Sequence, residues 1–244
     1  MINRIIAPML IKDGVLVQSK KYQWHLPIGH IEQSAIQLQY FKIDEFMLIS
    51  LDGMANSCID IDSLERLRKV SSSPISYAGG VCSLEQLRIA FDVGADRVVI
   101  NRMLNHRISK VEAFVDLVGR QGGVGSFDIT VNEIGECFVR TIDHVMSLDV
   151  DHIIQISSIV GEINLGLIDF EGVNKPMAYK NILCILSKLI QKINCPITIY
   201  GGSSWLDYHN LIIDTSHKVS ISVDNIFSYK EDSVNEFRKR LKNM

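Results

Sequence analysis

Two diglycines in this chain could grip anions. The stretch Pro74-Ile75-Ser76-Tyr77-Ala78-Gly79-Gly80 returns as Pro196-Ile197-Thr198-Ile199-Tyr200-Gly201-Gly202, half a chain later in a sequence of 244 residues. A Gly-Gly pair at the C-terminal end of a strand lets backbone close on a ligand, and a helix that follows offers unpaired N–H groups and a partial positive charge. One such pair commonly just makes a turn. Two pairs, each before an amphipathic helix with a serine near its start (Ser83, Ser204), suit a substrate carrying a phosphate at each end. Asn101 and Asn225 close the strands that follow. Each either adds an amide to a phosphate cradle or simply accepts a tight turn. Asp128 ends the apolar run Val124-Gly125-Ser126-Phe127-Asp128, where a carboxylate can act as general acid or base. Its counterpart in the first half is Leu10, which cannot move a proton, so an acid–base pair built on the repeat is half missing. Asp52, after Phe46–Leu51, either binds a sugar hydroxyl or substrate amine, or stabilises a loop. Asp13-Gly14 after the first strand reads as a turn. The histidines form no H-x-x-x-H or H-E-x-x-H spacing, so neither a metal nor another cofactor is expected.

Parallel strands joined by crossover helices would position these groups. Eight short β-branched or apolar runs alternate with helical patterns: Arg4–Leu10, Phe46–Leu51, Ile75–Ala78, Arg97–Ile100, Gly123–Asp128, Ile153–Ser157, Ile197–Tyr200 and Val219–Val223. Helix starts are marked by Ser83, Ser109 and Ser233, each followed three residues later by Gln or Glu. Ile182, Ile185, Leu186 and Leu189 form an apolar stripe that would pack on the sheet. No linker-like segment interrupts the chain. The expected architecture is a single α/β domain, a (β/α)8 TIM barrel built from two half-barrels, residues 1–122 and 123–244. An open doubly wound sheet would leave the half-length repeat unexplained.

Composition excludes several classes. With 47% apolar residues and a formal charge of −3, the chain lacks the basic excess needed to bind nucleic acid or an anionic membrane surface. The five cysteines are scattered without a C-x-x-C pair, which argues against a disulfide framework or a zinc site and for a reduced, cytoplasmic protein. There is no leader pattern and no apolar run of about 18 residues.

The ordered motifs resemble one family over nearly the whole chain. They are Arg4-Ile5-Ile6 with Lys12-Asp13-Gly14, Asp44-Glu45, Gly79-Gly80, Gly94-Ala95-Asp96-Arg97 to Ile100-Asn101, Gly119-Arg120-Gln121 leading to Asp128, and Gly201-Gly202. Together they are similar to the cyclase subunit of imidazole glycerol phosphate synthase. The resemblance implies a lyase-type reaction: a glutaminase partner releases ammonia at the N-terminal barrel face, the ammonia crosses the barrel interior, and a bisphosphorylated ribulose-type substrate is split and cyclised at the other face. It implies two catalytic aspartates, of which Asp128 matches the second while Leu10 replaces the first. Ser50 or Asp52 covers the aspartate expected after the second strand, Gln18 replaces a lysine, and Gly161-Glu162 takes the place of an acidic-glycine loop after the sixth strand. The stretch between Asp128 and that strand reads as short.

Arg4, Glu45 and Arg97 match three charged residues of the family's ammonia gate, with His152 at the fourth position. The same residues suit a purely structural ion-pair ring. A branch of the family that also has leucine at the first aspartate resembles this chain still more. Its members work with a glutaminase-like subunit and an amidotransferase, and are associated with acetamidino groups on surface-polysaccharide sugars. The alternatives are an ordinary histidine-biosynthesis cyclase and a non-catalytic, ammonia-conducting or partner-activating barrel.

Overall fold

A near-continuous apolar run writes a strand with two buried faces wherever helices cover one side and a barrel interior lies on the other. In the computed structural model this happens eight times. The model describes residues 4–105, 108–132, 134, 136–141, 145–173, 180–201, 219–222 and 233–242. Gly202 and Asn225 lie outside the described residues, as do Ser204 and the side chains of Ile182 and Ile185.

In chain order the strands are β1 (Ile5–Lys12), β2 (Val15–Lys20), β3 (Trp24–Gly29), β4 (Glu45–Ser50), β5 (Ile75–Ala78), β6 (Arg97–Ile100), β7 (Gly123–Val131), β8 (Cys137–Arg140), β9 (Val145–Ser147), β10 (Glu162–Leu167), β11 (Ile197–Tyr200) and β12 (Val219–Ser222). The helices are α1 (Ile31–Tyr40), α2 (Leu51–Asn56), α3 (Ile61–Val70), α4 (Leu84–Val93), α5 (Ile108–Val118), α6 (Val150–Ile159), α7 (Lys180–Lys192) and α8 (Ser233–Lys242). β1, β4, β5, β6, β7, β10, β11 and β12 pair in parallel in that order, and β12 pairs back onto β1. The sheet is therefore a closed (β/α)8 barrel, with no free edge among these strands.

The two faces of β1 show how the pattern works. Ile5, Ala7, Met9 and Ile11 join the large apolar layer between strands and helices. Ile6 and Leu10 instead join Met47, Ile49, Val17 and Tyr200 in a second, smaller cluster inside the barrel. Helix boundaries follow local chemistry. Ser83 Oγ accepts from Gln86 N at 3.2 Å at the start of α4, and Gln86 Oε1 accepts from Cys82 N at 2.7 Å, one residue earlier than a capping box would have it. Leu186 and Leu189 of the α7 stripe are buried. No helix among the described residues is long and apolar enough to cross a membrane.

One expected strand is a helix. Ile153–Ser157 lies within α6, which Asp149 caps by accepting from His152 N at 2.9 Å. Its β-branched residues suggest a strand, but Ile153, Ile156 and Val160 recur at helical spacing and are all buried. The sixth barrel strand is β10, so Gly161-Glu162 opens that strand instead of following it. The segment after Asp128 is correspondingly long, and holds the β8–β9 extension of β7 as well as α6.

The other departure from plain βα repetition is a hairpin. Asp13 (φ 52°) and Gly14 (φ 73°) both take the left-handed backbone that a two-residue hairpin turn requires, and Lys12 pairs with Val15 across it. β2 and β3 thus extend from the C-terminal end of β1 over the barrel mouth.

Candidate functional site

Each diglycine has a glycine pressed against the end of the preceding barrel strand. A Cβ on Gly79 would lie 2.7 Å from the Ser50 carbonyl oxygen at the end of β4, and one on Gly201 would lie 2.6 Å from that of Leu167 at the end of β10. Both have positive φ (143° and 91°), so the repeat in the sequence is a repeat in backbone geometry. Gly80 is equally constrained, its would-be Cβ falling on the Cys58 carbonyl.

Beside Gly79 and Gly80 opens a cavity of about 320 Å³ at the C-terminal mouth of the barrel. One wall is polar: Asn101, Arg102, Ser126, Asp128 and Asn164. The other is apolar, formed by Met47, Ile49 and Tyr200, with Tyr22 of the hairpin tilted against Tyr200 at 6.1 Å between ring centroids. Among the described residues no three His, Cys, Asp or Glu side chains converge as metal ligands.

Asp128 faces this cavity. Asn101 Nδ2 donates to Asp128 Oδ2 at 3.2 Å and to the Ser126 carbonyl at 3.1 Å, so Asn101 orients the carboxylate. Burial pushes the Asp128 carboxyl up to about 6, against the opposing pull of Arg140 and the Asn101 amide. Such a group is mostly ionised at neutral pH yet able to take a proton. Gly166, paired with Asp128 across β10 and β7, leaves the carboxylate its room: a Cβ there would sit 2.9 Å from Asp128 Oδ1. Gly166→Ala should therefore keep the fold, since the carboxylate can swing aside, and lower turnover about tenfold or more by misplacing it, as steady-state kinetics would show.

Leu10 lies on the apolar side, covered by the hairpin through Val17. The hairpin is tied down at both ends. At its turn, Asp13 N donates to Asp52 Oδ2 at 2.6 Å, and Arg66 donates to the Gly14 carbonyl at 2.9 Å while pairing bidentately with Glu32 at 2.7 and 3.0 Å. At its far end, Glu171 Oε2 accepts from Ser19 Oγ at 3.2 Å and from Tyr22 N at 2.9 Å. Asp52 therefore acts as a loop clamp and does not line the cavity. Ser50 is likewise occupied, capping Gly53 N at 3.0 Å and donating to Asp60 at 3.1 Å. The acidic-glycine turn after the sixth strand is Glu171-Gly172, with Gly172 at φ 62°.

Arg102 escaped the sequence reading. Its guanidinium donates to Ser57 Oγ and to the Met54 carbonyl (3.1 Å), and it borders the cavity beside the first diglycine. The only signal was its place directly after Asn101.

At the opposite, N-terminal end lies a ring of charge. Arg4 reaches Glu45 at 2.6 Å and Glu162 at 2.5 Å, and Arg97 reaches Glu162 at 2.7 Å and Glu45 at 3.7 Å. The second oxygens are satisfied too: Ser76 donates to Glu45 and Thr198 to Glu162, each at 2.5 Å. Burial raises the Glu45 carboxyl, opposed by Arg4 and Arg97. For Arg4, burial works to lower the value, but Glu162 and Glu45 together outweigh it and hold the guanidinium above its ordinary range. His152 is not in this ring. It sits on α6, its Nε2 donating to the Leu104 carbonyl at 2.9 Å and its ring edge-on to Phe127. The fourth ring position belongs to Glu162, the first residue of β10, which starts nine residues beyond the start of the Ile153–Ser157 run expected as the sixth strand.

Comparison with known proteins matches residues 4–207 to a family described as histidine biosynthesis protein. Among individual relatives, the chain is 27% identical over 219 residues to a Campylobacter jejuni protein named for subunit hisF2 of imidazole glycerol phosphate synthase, covering 83% of this chain and 80% of that one. It is 24% identical over 234 residues to a Vibrio vulnificus protein named for subunit hisF3 (93% and 88% covered), and 25% identical over 231 residues to imidazole glycerol phosphate synthase subunit HisF of Xylella fastidiosa (91% and 87% covered).

Proposed function

Because the chain belongs to the histidine biosynthesis protein family, we propose that it is a cyclase-type synthase subunit that uses ammonia from a glutaminase partner, and that it has been turned toward amidino-sugar synthesis for surface polysaccharide. The observation that carries the change of use is the pairing of Asp128 in the cavity wall with Leu10 buried beneath the hairpin. A two-carboxylate reaction needs a second proton-transfer group across the mouth, and the side chain there is apolar and covered.

In this reading ammonia enters past Arg4, Glu45, Arg97 and Glu162 at the base, and a phosphorylated ligand enters at the mouth. Its phosphate rests on the backbone of Gly79 and Gly80 near Arg102, ahead of the N-terminus of α4. Asp128 takes the proton that the incoming nitrogen must lose. Gly201, Gly202 and Asn225 would serve a second anionic group. The partners are a glutaminase at the N-terminal face and an amidotransferase.

The test is reconstitution. With its cognate glutaminase the chain should turn over the histidine-pathway bisphosphate at least about 10²-fold more slowly than a two-aspartate cyclase. Adding the amidotransferase and an acceptor sugar should restore glutamine-dependent amidine formation. Ordinary cyclase turnover that disappears in Asp128→Asn would reject the repurposing. Amidine formation that survives Asp128→Asn would favour a non-catalytic, conducting barrel.

A further inference from the structure

Between the charged ring and Asp128 lies a buried polar level that the proposed chemistry leaves unused. Register between β10 and β7 sets three steps up the barrel: Glu162 beside Val124, Asn164 beside Ser126, and Gly166 beside Asp128. Each step of two residues rises about 6.6 Å. Asn164 is 4% exposed, lines the cavity, and donates from Nδ2 to Ser126 Oγ at 2.9 Å. Its Oδ1 has no hydrogen-bond partner among the described residues. A buried acceptor left unmatched destabilises the fold. Nothing in packing calls for the amide, since Met47 and Ile49 on the facing wall show that an apolar side chain is tolerated inside this barrel.

We propose that Asn164 is a binding site for the nitrogen nucleophile, its Oδ1 accepting an N–H from ammonia one step below the Asp128 carboxylate. The inference rests on the ammonia-using reading above and names the residue that receives the nitrogen. An anionic or carbonyl oxygen of a ligand would be repelled by Oδ1, so the atom that fits there carries a hydrogen to donate. Ammonia fits best by size and position, because the level stands directly above Glu162 and below Asp128. Held by one N–H, ammonia keeps its lone pair free for an electrophile at the mouth. The Ser126 contact fixes the buried amide inside the barrel, and Asn101, which bonds the Ser126 carbonyl and Asp128, ties this level to the one above.

The experiment uses the purified full chain and simple salts. In 15N-labelled protein near pH 8, the side-chain amide signals of Asn164 and Asn101 should shift saturably as ammonium chloride is added. They should stay still with sodium or potassium chloride at equal ionic strength. In Asn164→Leu, or in Asn164→Ala should the leucine variant fold poorly, the Asn101 signal should no longer respond to ammonium. A shift that does not saturate, an equal response to potassium, or an unchanged Asn101 response in the folded variant would overturn the site. Asp128→Asn should leave ammonium binding in place while stopping turnover. A missing ammonium response therefore counts against Asn164, whereas retained turnover in Asp128→Asn counts against the function.

Discussion

Asp128→Asn should cost roughly 10²–10⁴ in turnover and, at the same time, make the protein more stable at neutral pH. Both effects come from one half-buried carboxyl. Its folded-state value of about 6 lies above the ordinary carboxylate value, so the folded chain favours the protonated form. The stability linked to that proton is fully present below pH 4, and is lost as pH rises through 6. Asparagine keeps the shape and can still accept from Asn101, but never charges. Thermal melts should therefore show the variant ahead by roughly 1–3 kcal/mol at pH 8, with the two proteins converging by pH 4. Activity runs the other way. As a base Asp128 works only when ionised, so wild-type turnover should climb through an inflection near pH 6, and that limb should vanish in the variant. A variant that gains stability without losing turnover would mean the carboxylate is merely an expensive wall of the cavity.

Removing Arg4 should have the largest effect on stability. Arg4 touches both Glu45 and Glu162, and Arg97 alone would then face two buried carboxylates, with Glu45 held only at 3.7 Å. Arg4→Met fills most of the space but strands that charge, and should lower the free energy of unfolding by about 3 kcal/mol, the low end for broken buried pairs because Arg4 is itself partly exposed. Denaturant titration measures this directly. A gate role predicts a second loss that a structural ring does not: with a glutaminase bound, glutamine hydrolysis should continue while ammonia incorporation falls. Arg4→Lys separates the two, since it retains the charge but not the fork that spans both carboxylates. Full coupling in a folded Arg4→Met would leave the ring a structural device.

Much of this molecule is legible within a few residues at a time. β5, β6 and β11 have the bounds that their β-branched runs suggest, Asp13-Gly14 makes its hairpin turn, and Ser83 caps α4. Gly79 and Gly201 are glycines because a neighbouring carbonyl occupies the space of a Cβ, and the repeated Gly-Gly announced that in advance. The error at Ile153–Ser157 shows the limit of such reading. A run of isoleucines satisfies strand and helix alike, and a cap four residues earlier, at Asp149, decided the matter.

The sequence by itself determined the run of strand and helix units, the glycines at the mouth and the carboxylate at Asp128, because apolar runs, caps and turns act between neighbours along the chain. Only the tertiary structure decided that Glu162 and not His152 completes the charged ring, that Asp52 clamps a hairpin, and that Arg102 and Asn164 meet Asp128 around one cavity. Those assignments depend on which side chains face each other across a closed sheet, and closure and register are set by all eight strands together, so no local stretch of sequence carries them.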